Sequence, residues 1–371
     1  MEKRASWLEL FYDVAFIALV AQLTYLAAEY HHSVQDWLNI GIVGYMIFVT
    51  WWATTANRNL QPEEKSADKL FVQLQMVGVF MMSVTMHQVF DGVYLGFFLT
   101  LAAVRLLQSF MLLRMYYRHP ETRPATYNVL EGFLAASALW ALSAFLPDPY
   151  HFLVALMALS IDILVPLTRG QGNTKRYLNV YHLQERLGLF LMLVIGESMI
   201  VVALSNSASG ALTDQLGVVF SGLLLMIALW WLYFEHSDRH AGKRPRELFS
   251  FLHAHGLLFS SIVLVSVGYK LILLNTVSQA AFGFVMMGMC GLAGGIALVR
   301  YSLHDLRLRV CAQLGALVVV AIAIIILGYV TERYLTSITL LTVLFAFAAL
   351  VDQRSAVRLA EQTSEPNHAI D

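Results

Sequence analysis

Apolar runs of membrane-crossing length recur from one end of this chain to the other. A bilayer core about 30 Å thick needs about 20 such residues per helix. The runs lie near 5–28, 37–56, 70–90, 93–117, 126–146, 149–168, 183–204, 215–235, 248–273, 279–300, 308–329 and 334–351. The expected fold is therefore all-α: a polytopic membrane protein of about twelve transmembrane helices. Composition agrees, since 58% of the 371 residues are hydrophobic and only 13% are charged; a mean hydropathy of +0.64 is too high for an ordinary soluble domain. The gaps are mostly short and carry turn residues, as in Pro147-Asp148-Pro149 and Asn206 to Gly210, which leaves no room for a sizeable soluble domain. The first run contains Glu9 and Asp13 and lacks the clean apolar centre and cleavage site of a signal peptide, so it is expected to be retained.

Charge narrows the function classes. With 24 Lys+Arg against 25 Asp+Glu there is no basic excess to hold nucleic acid. Of the 24 basic residues, all but Arg105, Lys270 and Arg333 fall at the N-terminus, the even-to-odd junctions, the inner helix ends or the C-terminus. By the positive-inside rule both termini are expected in the cytoplasm and the chain in an inner membrane. Cys290 and Cys311 lie in apolar runs, where neither a disulfide framework nor a zinc site is credible. No Walker loop, Rossmann glycine pattern, Gly-x-Ser-x-Gly elbow or His-Glu-x-x-His helix occurs. No cofactor, no metal site and no enzyme are expected; the expected partners are the lipid bilayer and an unidentified small solute or ion, protons included.

A weak internal repeat runs through the chain. Lys69–Gly78 aligns without gaps on Glu247–Gly256, with Leu, Phe, Leu and Gly in register, and Trp51-Trp52 ahead of Arg58 answers Trp230-Trp231 ahead of Arg239. This implies a six-plus-six parallel duplication, with 1–168 and 183–352 as the repeats, 169–182 as a short cytoplasmic linker and 353–371 as a flexible cytoplasmic tail. Two six-helix halves would share one orientation and enclose a path or site between them.

A charge at mid-helix costs about 2.5–3.5 kcal/mol on insertion scales and so demands a partner, water or a function. Glu9 and Asp13 lie four apart on one face of the first helix; His182, Glu185 and Arg186 sit within one turn at the inner mouth of the seventh. Glu197 returns to nearly the face of Arg186 about 16 Å deeper, which suggests a site near the midplane. Glu131, Asp162, His253 and His255 project from the inner parts of the fifth, sixth and ninth helices, and Arg105 is central in the fourth. Plainer readings exist for each: Glu9 and Asp13 as helix caps, Glu185 and Arg186 as headgroup-level ions, Glu197 as a protonated packing acid. His253 and His255, two apart, face different ways, so one is expected in the core. Glu235 and Asp352 read as solvated ends, His87 as structural, the glycines of the tenth helix as packing, and the paired tryptophans as an interfacial belt.

Several of these pieces carry a resemblance: Trp7-Leu8-Glu9-Leu10-Phe11-Tyr12-Asp13, the segment from Trp51-Trp52 to Asn57-Arg58, His182 with Glu185-Arg186-Leu187-Gly188-Leu189-Phe190, Gly196-Glu197-Ser198, and Trp230-Trp231-Leu232-Tyr233-Phe234-Glu235. Over nearly its whole length the chain resembles the bacterial low-temperature-requirement A (LtrA) membrane proteins. That family usually has Phe at the position of Tyr12 and often Asp at that of Glu235. Its name records a growth phenotype and implies an architecture more than a reaction. Arg4 followed by Phe11-Tyr12-Asp13 also looks like the signature of a potassium-channel family whose pore is lined by first and seventh helices, with Tyr12 in place of a Ser. The expected activity is secondary transport coupled to protons or cations, with Glu197 as the exchanging site and Glu9, Asp13, Glu185 and Arg186 as a cytoplasmic gate. A cation channel lined by helices one and seven, and an intramembrane lipid enzyme using His182 and Glu185, are the alternatives.

Overall fold

The computed structural model describes residues 4–61, 66–147, 149–205, 212–243, 245, 248–274, 278–303 and 308–364. It contains α1 (Trp7–Glu29), α2 (Val34–Leu60), α3 (Ser66–Phe90), α4 (Leu95–Arg118), α5 (Arg123–Ser143), α6 (Tyr150–Tyr177), α7 (Val180–Leu204), α8 (Leu212–Arg239), α9 (Leu248–Leu273), α10 (Gln279–Ser302), α11 (Leu308–Thr331) and α12 (Tyr334–Ser364), with one 3-10 turn before α5. Among the described residues nine helices are long and apolar enough to cross a membrane, while the apolar stretches of α5, α6 and α11 are shorter. Many large apolar side chains face outward, among them Val77, Phe80, Met157, Ile200, Phe220 and Phe347. In water such a surface would aggregate; around a multi-span membrane protein it meets lipid.

Local signals set the helix ends. Ser6 and Ser33 each form a capping box, with Glu9 and Asp36 returning a carboxylate to the cap N–H, which satisfies donors a helix start leaves open. Gly92 turns the chain between α3 and α4 with φ 78°, a conformation a Cβ resists. Two boundaries differ from expectation. The 169–182 segment is mostly helix, since α6 continues to Tyr177 and α7 begins at Val180. Likewise α12 continues to Ser364 through the expected tail. Both extensions are polar, so an apolar-run criterion stops short of them, while backbone hydrogen bonding carries the helix on.

Helices alternate in direction across short connections. The end of the bundle at which α1 begins is called the proximal face here, and the opposite end the distal face. α1 packs on α2, α3, α7 and α9 and so touches both halves of the chain. Some packing pairs correspond across the halves, α1 on α2 and α3 with α7 on α8 and α9, α3 on α4 with α9 on α10, and α5 on α6 with α11 on α12, whereas the close α4–α5 packing has no such α10–α11 counterpart among the described residues. The tightest pair is α9 with α10. There a Cβ on Gly288 would stand 2.7 Å from the Ser261 carbonyl and 2.9 Å from the Val265 nitrogen, so the glycine permits backbone contact. On the distal face Trp37 stacks on Phe284 with centroids 4.1 Å apart, and the Tyr30 hydroxyl donates to Asp91 at 2.8 Å. That carboxylate raises the phenol's pKa above its ordinary value.

Candidate functional site

The proximal halves of α1 and α7 lie side by side and exchange charge in two rungs. His182 Nε2 meets Glu9 Oε2 at 3.4 Å, and Arg186 donates to Asp13 Oδ1 at 2.6 Å; both pairs are separated by 173 residues. One register therefore runs through the seam: acids four apart on α1 face bases four apart on α7, as two parallel helices in contact allow. All four side chains are buried. Burial makes such pairing obligatory, because a lone charge in low dielectric costs several kcal/mol.

Neighbouring groups fix the details. Asn59 Nδ2 donates to the Asn179 carbonyl at 2.9 Å while its Oδ1 accepts the Asn179 N–H at 2.8 Å, which orients the amide. The same Nδ2 is 3.1 Å from His182 Nδ1, so that nitrogen accepts and Nε2 carries the proton given to Glu9. Glu9 also caps α1 through the Ser6 N–H at 2.8 Å and lies 3.8 Å from Arg58. The cap reading of Glu9 and the pairing reading thus both hold for that residue, whereas Asp13 makes no cap. Trp51 donates Nε1 to Asp13 at 2.7 Å and stacks on Phe190 with centroids 4.2 Å apart. Glu185, half-buried, accepts the Ala5 N–H at 3.0 Å and so ties the chain ahead of α1 to α7.

From this seam a chain of buried polar groups climbs into the first half. Tyr12 donates to Thr54 at 2.8 Å; Thr54 also meets Gln75 and receives Gln108 Nε2 at 2.9 Å. Gln108 accepts from Arg105 at 2.8 Å, and Arg105 forms an ion pair with Asp162, which Trp140 Nε1 also reaches at 3.1 Å. Arg105 lies ten residues, about 15 Å, below the distal end of α4, near mid-bundle. The central cation in the fourth helix is therefore matched by the acid of the sixth and shielded by the Phe133 ring, 4.5 Å from its guanidinium carbon.

Glu197 stands apart from this network. It is 17 residues along α7, about 25 Å from the helix start, and so lies outward of the helix midpoint, closer to the distal face than spacing from Arg186 suggests. Both carboxyl oxygens are buried without a hydrogen-bond partner among the described residues. The neighbouring charge is Lys270 of α9, whose ammonium sits 4.2 Å from the centroid of Tyr25 on α1. Next to Glu197, Ser198 accepts from Ser266 at 2.6 Å, which fixes α7 on α9.

The remaining candidates divide. Glu131 is exposed on α5 and bonded to Tyr127 one turn earlier, so helix rotation takes it away from the network. His255 is buried against the Tyr233 hydroxyl at 2.9 Å, and His253 points elsewhere, its Nδ1 on the Phe249 carbonyl at 2.9 Å. Their different faces match the two-residue spacing. His182 and Glu185 engage Glu9 with Asn59, and Ala5, respectively, and form no dyad among the described contacts. Asp352 is no solvated end: it pairs with Arg300 through two bonds of 2.9 Å. Trp51 is fully buried, not a belt residue. Sequence reading missed Tyr12, Trp51, Thr54, Gln75, Gln108 and Arg58 as network members; the family resemblance marked Tyr12 and the segment from Trp51 to Arg58, and the internal repeat marked Trp51 and Arg58, without showing what they bind.

A family model described as bacterial low temperature requirement A protein (LtrA) matches residues 4–352. An uncharacterized protein of Rhizobium meliloti (strain 1021) is 22% identical over 327 residues, covering 81% of this chain and 78% of the relative. The matched span takes in α1 through the body of α12 and hence every residue of the seam and network.

Proposed function

The chain belongs to the bacterial low temperature requirement A family, and from that premise we propose a secondary transporter of the bacterial cytoplasmic membrane, coupled to protons or another cation. In this reading the two halves are six-plus-six parallel repeats, both termini are cytoplasmic, and the proximal face is the inner one. The matching helix pairs of the two halves support the duplication. The basic residues at proximal helix ends, such as Arg58, Arg118 and Lys243, support the orientation.

The observation that carries the proposal is the two-rung ladder between α1 and α7. Acids belong to the first half and bases to the second, so the seam between halves is closed by charge. Separating the halves exposes both partners together to inner water, which hydrates them and recovers much of the lost attraction. Such a contact is stable closed and tolerable open, which is what a gate between two states requires. Beyond it α1 buries apolar side chains, including Phe16, Leu19 and Leu23. Glu197 lies further along α7. A carboxyl without a fixed partner can be neutral when buried and charged when wetted, so its protonation sets the cost of exposing it to either side.

The chain acts on no covalent bond in this account; it moves a solute. The side-by-side packing of α1 and α7 also favours a second reading, a cation channel whose pore they line, closed in this state. Proteoliposomes holding a pH-sensitive dye separate the two. A transporter gives solute-dependent pH changes that Glu197→Gln abolishes; unchanged pH coupling in that variant rejects Glu197 as the exchanging group. Single-channel currents would select the channel.

A further inference from the structure

The network's mid-bundle end opens on a cavity that the gate does not use. It measures about 100 Å³ and lies between α2, α4, α5, α6 and α9, where the two halves of the chain meet. Its wall is mostly apolar and rich in rings: Phe48, Trp52, Phe133 and Phe249. Asp162 is the charged residue of that wall, and it is buried. His253 also lines it. Because the Phe249 carbonyl can only accept, His253 Nδ1 must be the protonated nitrogen, which leaves Nε2 as an acceptor. The cavity thus offers an imidazole lone pair and, behind its Arg105 ion pair and the Trp140 N–H, a carboxylate, amid aromatic faces.

We propose that this cavity is a binding site for a small primary alkylammonium ion. Four arguments select the class. Acceptors call for a donor, and an ammonium brings three N–H groups. Aromatic faces attract a cation more strongly where water is excluded. A hydrated alkali ion needs a full shell of oxygens, more than Asp162 and the Asn57 amide of this wall supply, whereas an alkyl chain suits its apolar remainder. Size suits a short chain: a cavity of about 150 Å³ takes benzene, so about 100 Å³ suits a chain of about three or four carbons. The incoming cation competes with Arg105 for Asp162, and Arg105 is joined through Gln108 and Thr54 to Tyr12, the neighbour of Asp13. Binding is thereby linked to the α1–α7 seam. This deepens the transport reading, on which the word substrate would rest, but binding itself needs no flux.

The test is thermal unfolding of the full-length protein in detergent, titrated with n-propylammonium chloride, n-propanol or tetramethylammonium chloride. Propylammonium is expected to raise Tm in a saturable manner, with little shift from the neutral isostere or from the cation without N–H donors. Ala56→Leu, which fills the cavity from α2, is expected to weaken propylammonium binding at least tenfold while leaving the ion pairs intact. Asp162→Asn should do the same, although freeing Arg105 could impair folding, so Ala56→Leu decides. No propylammonium shift, an equal shift from propanol, which marks an apolar or lipid-tail cavity, or full binding in Ala56→Leu overturns the proposal. Absence of pH-coupled flux in the parent protein with binding intact would count against the transport reading alone.

Discussion

Asp13 on α1 and Glu197 on α7 are both buried carboxyls, yet their surroundings differ. Asp13, toward the proximal end, holds Arg186 and the Trp51 indole on one oxygen. Glu197, toward the distal end, has no hydrogen bond among the described residues and a lysine of the next helix as its neighbouring charge. The first environment fixes a charge by supplying its partners; the second leaves the protonation state to be decided by what enters. A closed gate and an exchange site require these opposite arrangements.

The contrast can be broken by removing one group at a time and measuring reversible unfolding in mixed micelles. Arg186→Met strands Asp13 in the interior and is expected to cost about 3–5 kcal/mol; a loss below about 1 kcal/mol would mean the proximal rung holds nothing. Trp51→Phe keeps the ring over Phe190 but deletes a donor to a carboxylate, for about 1.5–3 kcal/mol. Lys270→Met, near the distal end, gives up its cation–π contact with Tyr25 and its attraction to Glu197, and should cost about 0.5–1 kcal/mol. Glu197→Gln removes no hydrogen bond and should leave stability within about 0.5 kcal/mol of the parent. A large destabilisation there would show that Glu197 is a structural acid like Asp13, and the distinction would be lost.

Much of this was legible in the sequence, for identifiable reasons. Apolar runs marked the helices because the bilayer sets their length, but the polar ends of α6 and α12 carried no such signal. Charge in an apolar setting exposed Glu9, Asp13, His182 and Arg186, since each is too costly to bury alone. Neutral polar residues such as Thr54, Gln75 and Gln108 are cheap singly, so only the packing of α2, α3 and α4 shows them to be one network. The Arg105–Asp162 pair joins two non-consecutive helices, a fact of topology. Glu131 misled because its depth is readable and its rotation is not.

The account depends on Asp13 and Arg186 acting as one unit across the two halves. A double-mutant cycle with Asp13→Asn and Arg186→Gln measures that directly. A coupling energy of about 2–3 kcal/mol, with the double variant more stable than the sum of the singles implies, is the expected result. Additivity within about 0.5 kcal/mol would contradict it, leaving the seam without its electrostatic latch.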